Sequence, residues 1–240
     1  MKGLKRTLLV IVLLSAAAFL SWEALKVRDI AVAGTRSRLP AEVAMLSGIG
    51  LGDSLLTLDK ELAKAGIESD PYFKYDDIEI DWPSGIIIRV TERIPKTYIL
   101  HLGSMIIMDE AGFVLEIGRN LPHADLVQVT GLQVTAYLVG EEVQAENQDQ
   151  VFLYSRVYEA FEKEGLTGEI KEIIITQSLT ARVVTGQGIT VDIGTSDNLQ
   201  RKIMLTESIV ESLNRMYSPE ELNGTSLDVS TGEFGDFNPD

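Results

Sequence analysis

Ile30-Ala31-Val32-Ala33-Gly34 opens the stretch, Ile30 to Pro95, on which the reading of this chain turns, and Glu92-Arg93-Ile94-Pro95 closes it. Val27 to Ala33 is short, apolar and β-branched, which predicts a strand, with Gly34 ending it. Pro40 suits the first turn of a helix because its ring fixes φ. Glu42 then meets the positive end of the helix dipole, Val43 and Leu46 share a face, and Gly48 stops the helix. Thr57 is the expected cap of a second helix, with Leu58, Leu62 and Ala65 on one face and Gly66 at its end. Next, Ile78, Ile80 and Trp82 alternate with Asp77, Glu79 and Asp81. Beyond Pro83-Ser84-Gly85, Ile86, Ile88 and Val90 alternate with Ile87, Arg89 and Thr91. Period two with one polar face predicts a half-buried antiparallel hairpin. The order is strand, helix, helix, strand, strand, and the two narrow helical stripes must cover one face of the sheet.

Upstream, Thr7 to Trp22 contains no charged residue, Lys2, Lys5 and Arg6 precede it, and Glu23, Lys26 and Arg28 follow. Basic residues stay on the cytoplasmic side of a membrane segment, so the bulk of the chain is expected outside. The run reads either as an uncleaved anchor over residues 7–26 or as a secretory signal cut near Ala16-Ala17-Ala18. Trp22 favours the anchor, since tryptophan prefers the membrane–water interface. A soluble core helix fits least, because no polar face interrupts the run.

The formal net charge is -15 over 240 residues, and the one purely basic segment lies before Thr7. The rest of the chain repels nucleic acid, whose binding is driven by cations against phosphate. There is no cysteine, which excludes disulfides, thiolate metal sites and a cysteine nucleophile.

Downstream, Tyr98 to Leu102, Met105 to Met108 and Phe113 to Ile117 read as strands, with a turn at Asp109-Glu110-Ala111-Gly112. Gly140 to Gln150 is polar and suits a loop. Val151, Tyr154, Tyr158 and Phe161 recur at helical steps up to Gly165, an aromatic stripe that reads as core. Ile170 to Ile175, Leu179 to Val184 and Ile189 to Ile193 are three further strands. Asp197 is the expected cap of a helix whose one side carries Leu199, Ile203, Thr206, Ile209 or Val210, and Leu213. Leu227 to Ser230 is a last strand. Thr231 to Asp240, with its glycines, proline and acids, is expected to fray.

The residues offer little chemistry. Gly48-Ile49-Gly50-Leu51-Gly52 lacks both the G-x-G-x-x-G spacing and a following Lys-Ser/Thr, so it reads as a tight connection. Asp109 and Glu110 sit side by side on a turn and read as a solvated turn, not a glycosidase pair. His101 and His123 have no histidine or glutamate partner at metal-ligand spacing. There is no Gly-x-Ser-x-Gly elbow and no Ser-x-x-Lys. No catalytic residue, metal or cofactor is expected.

The strand-helix-helix-strand-strand module just after an anchor resembles a POTRA domain, and its details resemble the FtsQ/DivIB family of bacterial cell-division proteins. The matching residues are Ile30 to Gly34, Glu42-Val43 with Ser47-Gly48-Ile49 and Gly52, and Glu92-Arg93-Ile94-Pro95. Farther on, the strand–Asp-x-x-Gly–strand pattern, Leu121-Pro122 and Val129-Thr130-Gly131 are similar to the opening of that family's β domain. The resemblance implies an α+β protein with an N-terminal transmembrane helix, a small POTRA domain (β-α-α-β-β) and a larger mixed β domain with two or more helices. The corresponding spans are 1–6 cytoplasmic tail, 7–26 anchor, 27–95 POTRA domain, 96–230 β domain and 231–240 flexible tail. It further implies a non-catalytic divisome scaffold at the septum that contacts FtsB/DivIC-like and FtsL-like membrane proteins. By the same resemblance the contact falls on Thr225, Ser226, Leu227, Asp228, Val229 and Ser230, beside Leu199, Lys202 and Ile203. A final strand at a sheet edge has unpaired backbone groups that a partner segment can complete as an added strand. The rival readings are an exported cell-wall-acting enzyme with a cleaved signal peptide and a POTRA-type transport chaperone.

Overall fold

The computed structural model describes residues 25–122, 125–232 and 236–238. The expected cytoplasmic tail, nearly all of the anchor segment 7–26 and His123 lie outside these residues. Among the described residues no helix is long and apolar enough to cross a membrane. The chain forms two compact units, the first ending at Arg93 and the second beginning at Ile94.

The first unit runs β1 (Asp29–Ala33), α1 (Pro40–Leu46), α2 (Lys60–Ile67), β2 (Phe73–Asp81) and β3 (Gly85–Glu92). The sheet order is β1-β3-β2, with β1 parallel and β2 antiparallel to the central β3. This central position explains why β3 keeps its alternation: Ile86, Ile88 and Val90 are buried. They meet Val43 of α1 and Ala63 and Ile67 of α2 in one apolar cluster. Gly34 ends β1 with φ +102, and a Cβ there would stand 1.7 Å from the Val90 carbonyl oxygen. Only glycine fits both constraints. Glu92 is buried, and its carboxylate accepts hydrogen bonds from the Arg36 N–H, the Ser37 N–H and hydroxyl, and the Arg38 N–H. It thus clamps the loop after β1.

Three expectations for this unit are corrected. The cap of α2 is Asp59, whose side chain accepts from the Leu62 N–H, rather than Thr57. The buried face also differs: Ala63 and Ile67 face inward while Leu62 is exposed. Gly66 lies inside the helix, where it lets the Leu46 carbonyl of α1 approach. In β2 only Ile78 of the alternating trio is buried, and Ile80 and Trp82 are exposed. A bulge between Tyr75 and Asp77 shifts the register.

The second unit holds a nine-stranded sheet. Its members are β4 (Thr97–His101), β5 (Ser104–Met108), β6 (Val114–Gly118), β7 (Val127–Thr130), β10 (Ile170–Ile175), β11 (Ala181–Thr185), β12 (Thr190–Gly194), β13 (Ser226–Asp228) and β14 (Asp236–Asn238). They are ordered β14-β13-β12-β11-β10-β7-β4-β5-β6. A small ribbon, β8 (Val134–Ala136) with β9 (Gln144–Ala145), lies apart. Helices α3 (Gln148–Lys163) and α4 (Leu199–Met216) contribute one face each to the core, and a short turn of helix, α5 (Pro219–Leu222), precedes β13. Val151, Tyr154, Tyr158 and Phe161 of α3 are all buried, as the aromatic stripe predicts. They pack in one cluster with Ile173 and Ile175 of β10, Val183 of β11 and Val191 and Ile193 of β12. The alternate residues carry the polar pairs: Arg182 lies 3.3 Å from Asp192, and Thr130 donates to Glu172 at 2.6 Å.

Candidate partner-binding site

The nine residues named for partner contact converge on one corner of the second unit. Val191 pairs with Leu227 in the parallel register of β12 and β13. The Thr190 N–H donates to the Thr225 carbonyl at 2.9 Å, and the Val229 N–H donates to the Asp192 carbonyl at 3.0 Å. Thr225 and Val229 therefore point their backbone groups inward, toward β12. By strand parity Ser226 and Asp228 point theirs outward.

Helix α4 closes the corner. Lys202 stands on the same side as Leu199, Ile203 and Thr206, and is itself buried. Its Nζ donates to the Thr195 carbonyl at 2.9 Å. Burial lowers the Lys202 pKa from the usual lysine value, although Asp197, Asp192 and Asp228 pull the other way. The helix begins at Asn198, which has left-handed φ and makes no side-chain cap, so the expected cap at Asp197 is corrected. Past β13 the chain turns back over α4: a Cβ on Gly232 would lie 3.9 Å from Arg201 Cδ and 4.0 Å from Lys202 Cγ.

Burial divides the nine. Thr225, Leu227, Val229, Leu199, Lys202 and Ile203 are buried, Ser226 and Asp228 are exposed, and Ser230 is half-buried. The buried six finish the core or seat the helix. The exposed side chains of Ser226 and Asp228 are what a partner could reach.

Two features of this corner differ from the sequence reading. The last segment does not simply fray, because Asp236–Asn238 forms β14. And β13 is not the sheet edge: Ser226 pairs with Asn238, Leu227 with Phe237 and Asp228 with Asp236. A partner strand added at β13 would have to take the place that the chain's own last strand fills. The sequence hid β14 because a three-residue strand among Gly, Pro and acids carries no period. What selects it is the open edge of β13.

Elsewhere Asp109 and His101 sit in local contacts. Asp109 accepts from the Ala111 and Phe113 N–H groups at 3.0 and 2.9 Å and so shapes its turn. His101 stands edge-on to Tyr137, with 5.4 Å between ring centres. Among the described residues no three His, Asp or Glu side chains are grouped to hold a metal ion.

Comparison with known proteins defines the class first. Residues 25–93 match the family described as POTRA domain, FtsQ-type, which is the whole described part of the first unit. Curated relatives extend the likeness. "Cell division protein DivIB" of Clostridium tetani is 24% identical over 77% of this chain and 69% of its own length. "Cell division protein FtsQ" of Anaeromyxobacter sp. is 27% identical over 56% of this chain and 47% of its own. "Cell division protein FtsQ" of Syntrophotalea carbinolica is 32% identical over 49% and 41%. The matches span between 41% and 69% of the length of these curated relatives. A solved structure, the major extracytoplasmic domain of the trans isomer of DivIB from Geobacillus stearothermophilus, aligns over 53% of this chain and 99% of its own at 16% identity, with a TM-score of 0.33. Residues 25–93 are an FtsQ-type POTRA domain, followed in the chain by a larger α+β unit, and the chain is similar to curated proteins named FtsQ and DivIB.

Proposed function

We propose that this protein is a non-catalytic divisome scaffold, and the observation that carries the reading is the FtsQ-type POTRA match at 25–93 joined to curated relatives named for cell division. It is held in the membrane by residues 7–26, with Met1 to Arg6 in the cytoplasm and both units outside. Its POTRA and β domains link membrane-anchored division proteins of the FtsB/DivIC and FtsL type at the septum. The contact uses the outward backbone of Ser226 and Asp228, where β14 gives way to a partner strand. Leu199, Lys202 and Ile203 hold β13 in place from behind. The edge geometry supports this reading, since β13 keeps its bonds to β12 through Thr225 and Val229 whatever lies on its other side.

An N-terminal fluorescent fusion in dividing cells tests the role. A band at the division plane supports it, and an even ring around the envelope counts against it. Two variants then test the edge. Ser226→Pro removes an outward N–H and blocks strand addition while sparing the β12 side. Deletion of residues 233–240 clears the edge and is expected to strengthen partner capture. If Ser226→Pro folds and binds the partner as wild type does, the edge contact is wrong.

A further inference from the structure

We propose that the end of the first unit at which the chain arrives docks against the membrane interface through Leu51, Leu56 and Trp82. The inference rests on the reading of residues 7–26 as an uncleaved anchor.

Three separate pieces of chain meet at that end. The arriving segment pairs antiparallel with the loop between α1 and α2: the Val27 N–H donates to the Asp53 carbonyl, the Gly52 N–H to the Val27 carbonyl and the Leu55 N–H to the Leu25 carbonyl, each at 2.8 Å. The turn between β2 and β3 joins them through the Arg28 N–H, which donates to the Ser84 carbonyl at 2.7 Å. Leu55 is buried in this knot. Its neighbours are not: Leu51 is 71% exposed, Leu56 62% and Trp82 63%. Leu56 stands one residue beyond the paired segment, on the side from which the chain arrives. Large apolar side chains left in water on two loops at one end of a small domain call for a cover.

The length of chain before Leu25 selects that cover. Trp22 ends the uncharged run and is three residues away, a reach of at most about 10 Å. A bilayer's headgroup zone is about 5–8 Å deep on each side of its hydrocarbon. With Trp22 at the interface, Leu56 lies within reach of the lipid surface, and no second domain fits between Trp22 and Leu25; Leu51 and Trp82, level with Arg28 and Ser84, join the contact when the paired segment lies along the membrane. Charge does not drive the contact, since Lys26 and Arg28 share this end of the unit with three acids, Asp29, Asp53 and Asp81. The ligand is therefore the zwitterionic lipid interface itself, entered by two leucines and a tryptophan, since the acidic surface repels anionic headgroups.

The chain has no cysteine, so single labels can be placed cleanly. An environment-sensitive fluorophore is put at Leu51→Cys, at Leu56→Cys and, as a control, at Leu39→Cys in the full chain. Leu39 is equally exposed but stands beside the Glu92 clamp, at the far end of β3, about 23 Å along the strand. Each protein is reconstituted into phosphatidylcholine vesicles carrying a headgroup-region nitroxide, and flotation scores anchoring separately. Labels at 51 and 56 are expected to be blue-shifted and quenched severalfold more than the label at 39, with no loss at high salt. Leu51→Asp with Trp82→Asp removes two of the three apolar contacts, each worth about tenfold in the docked population. The label at 56 should then match the label at 39, while circular dichroism shows the fold intact. If the chain floats and all three labels are equally quenched, the docking inference is wrong and the anchor stands. A blue shift at 56 without nitroxide quenching means a protein covers this end, which also overturns the inference. A chain that does not float sinks the anchor reading and the docking with it.

Discussion

Replacing Glu92 should loosen the first unit in a way that depends on pH. The carboxylate accepts from three backbone N–H groups, at Arg36, Ser37 (3.0 Å) and Arg38 (3.3 Å), and from the Ser37 hydroxyl. A hydrogen bond to a charged group contributes about 1.5–3 kcal/mol net, and donors that can turn to water recover part of it. Arg36 and Ser37 are exposed, so their donors do recover. Glu92→Ala is accordingly expected to cost about 3 kcal/mol, roughly a hundredfold in the opening equilibrium. Burial alone would raise the Glu92 pKa, but the Ser37 hydroxyl and the three N–H groups outweigh it and hold the pKa below the usual 4.5. A carboxylate with a depressed folded pKa contributes stability that is present above the unfolded value and lost as pH falls through the folded one. Amide hydrogen exchange read by mass spectrometry on β1 and β3 is the measure, corrected for the intrinsic rate. At pH 7 the variant should lose about two decades of protection, and the gap to wild type should narrow steadily below pH 4.5. An equal gap at pH 7 and pH 3 would show that the charge of Glu92 is not what holds the loop. Unchanged protection in the variant would refute the clamp altogether.

Gly66→Ala would set a Cβ 2.1 Å from the Leu46 carbonyl and push α1 off α2, so the melting temperature should fall by ~5–15 °C for a cost of about 1–3 kcal/mol. Tyr154→Phe loses the bond from the buried hydroxyl to the Asp109 carbonyl at 3.2 Å; about 1 kcal/mol, read as a drop in urea midpoint with an unchanged slope, is the expected outcome. Glu79→Ala breaks a pair with Arg89 at 2.9 Å whose side chains are about half exposed, and thermal unfolding should move by less than the ~1 kcal/mol ceiling of surface pairs.

Period carried most of the legible structure. Ile86, Ile88 and Val90 were readable because β3 is flanked on both sides and covered by both helices, so every inward residue is buried. The same rule misplaced Ile80 and Trp82, since alternation reports which way a side chain points but not where the covering layer ends. Helix α2 was legible but its details were not: Thr57 and Asp59 both suit a cap, and the one-turn pattern of leucines does not reveal that Ala63 and Ile67 are the residues facing the sheet. Lys202 could not be recognised as buried from its type, because only the company of Leu199, Ile203 and a nearby carbonyl makes a lysine acceptable inside. The expected contact residues did come together at one corner, but six are core, and the strand that occupies the outer edge of β13 gave no signal.

The place of β7 in the sheet has a consequence for how the second unit assembles. β7 pairs with β4 at Thr97 and Val127 and with β10 at Val129 and Ile173, so it joins an early half of the sheet to a late one. As the chain grows from its N-terminus, β4 to β7 can pair at once. The far side of β7 then stays open until α3 and β10 have been made, and a stray strand could zip onto Val127–Thr130 meanwhile. Late pairing over such a sequence separation is slow. The vulnerable moment of this protein is therefore the interval in its folding when half a sheet waits for its other half.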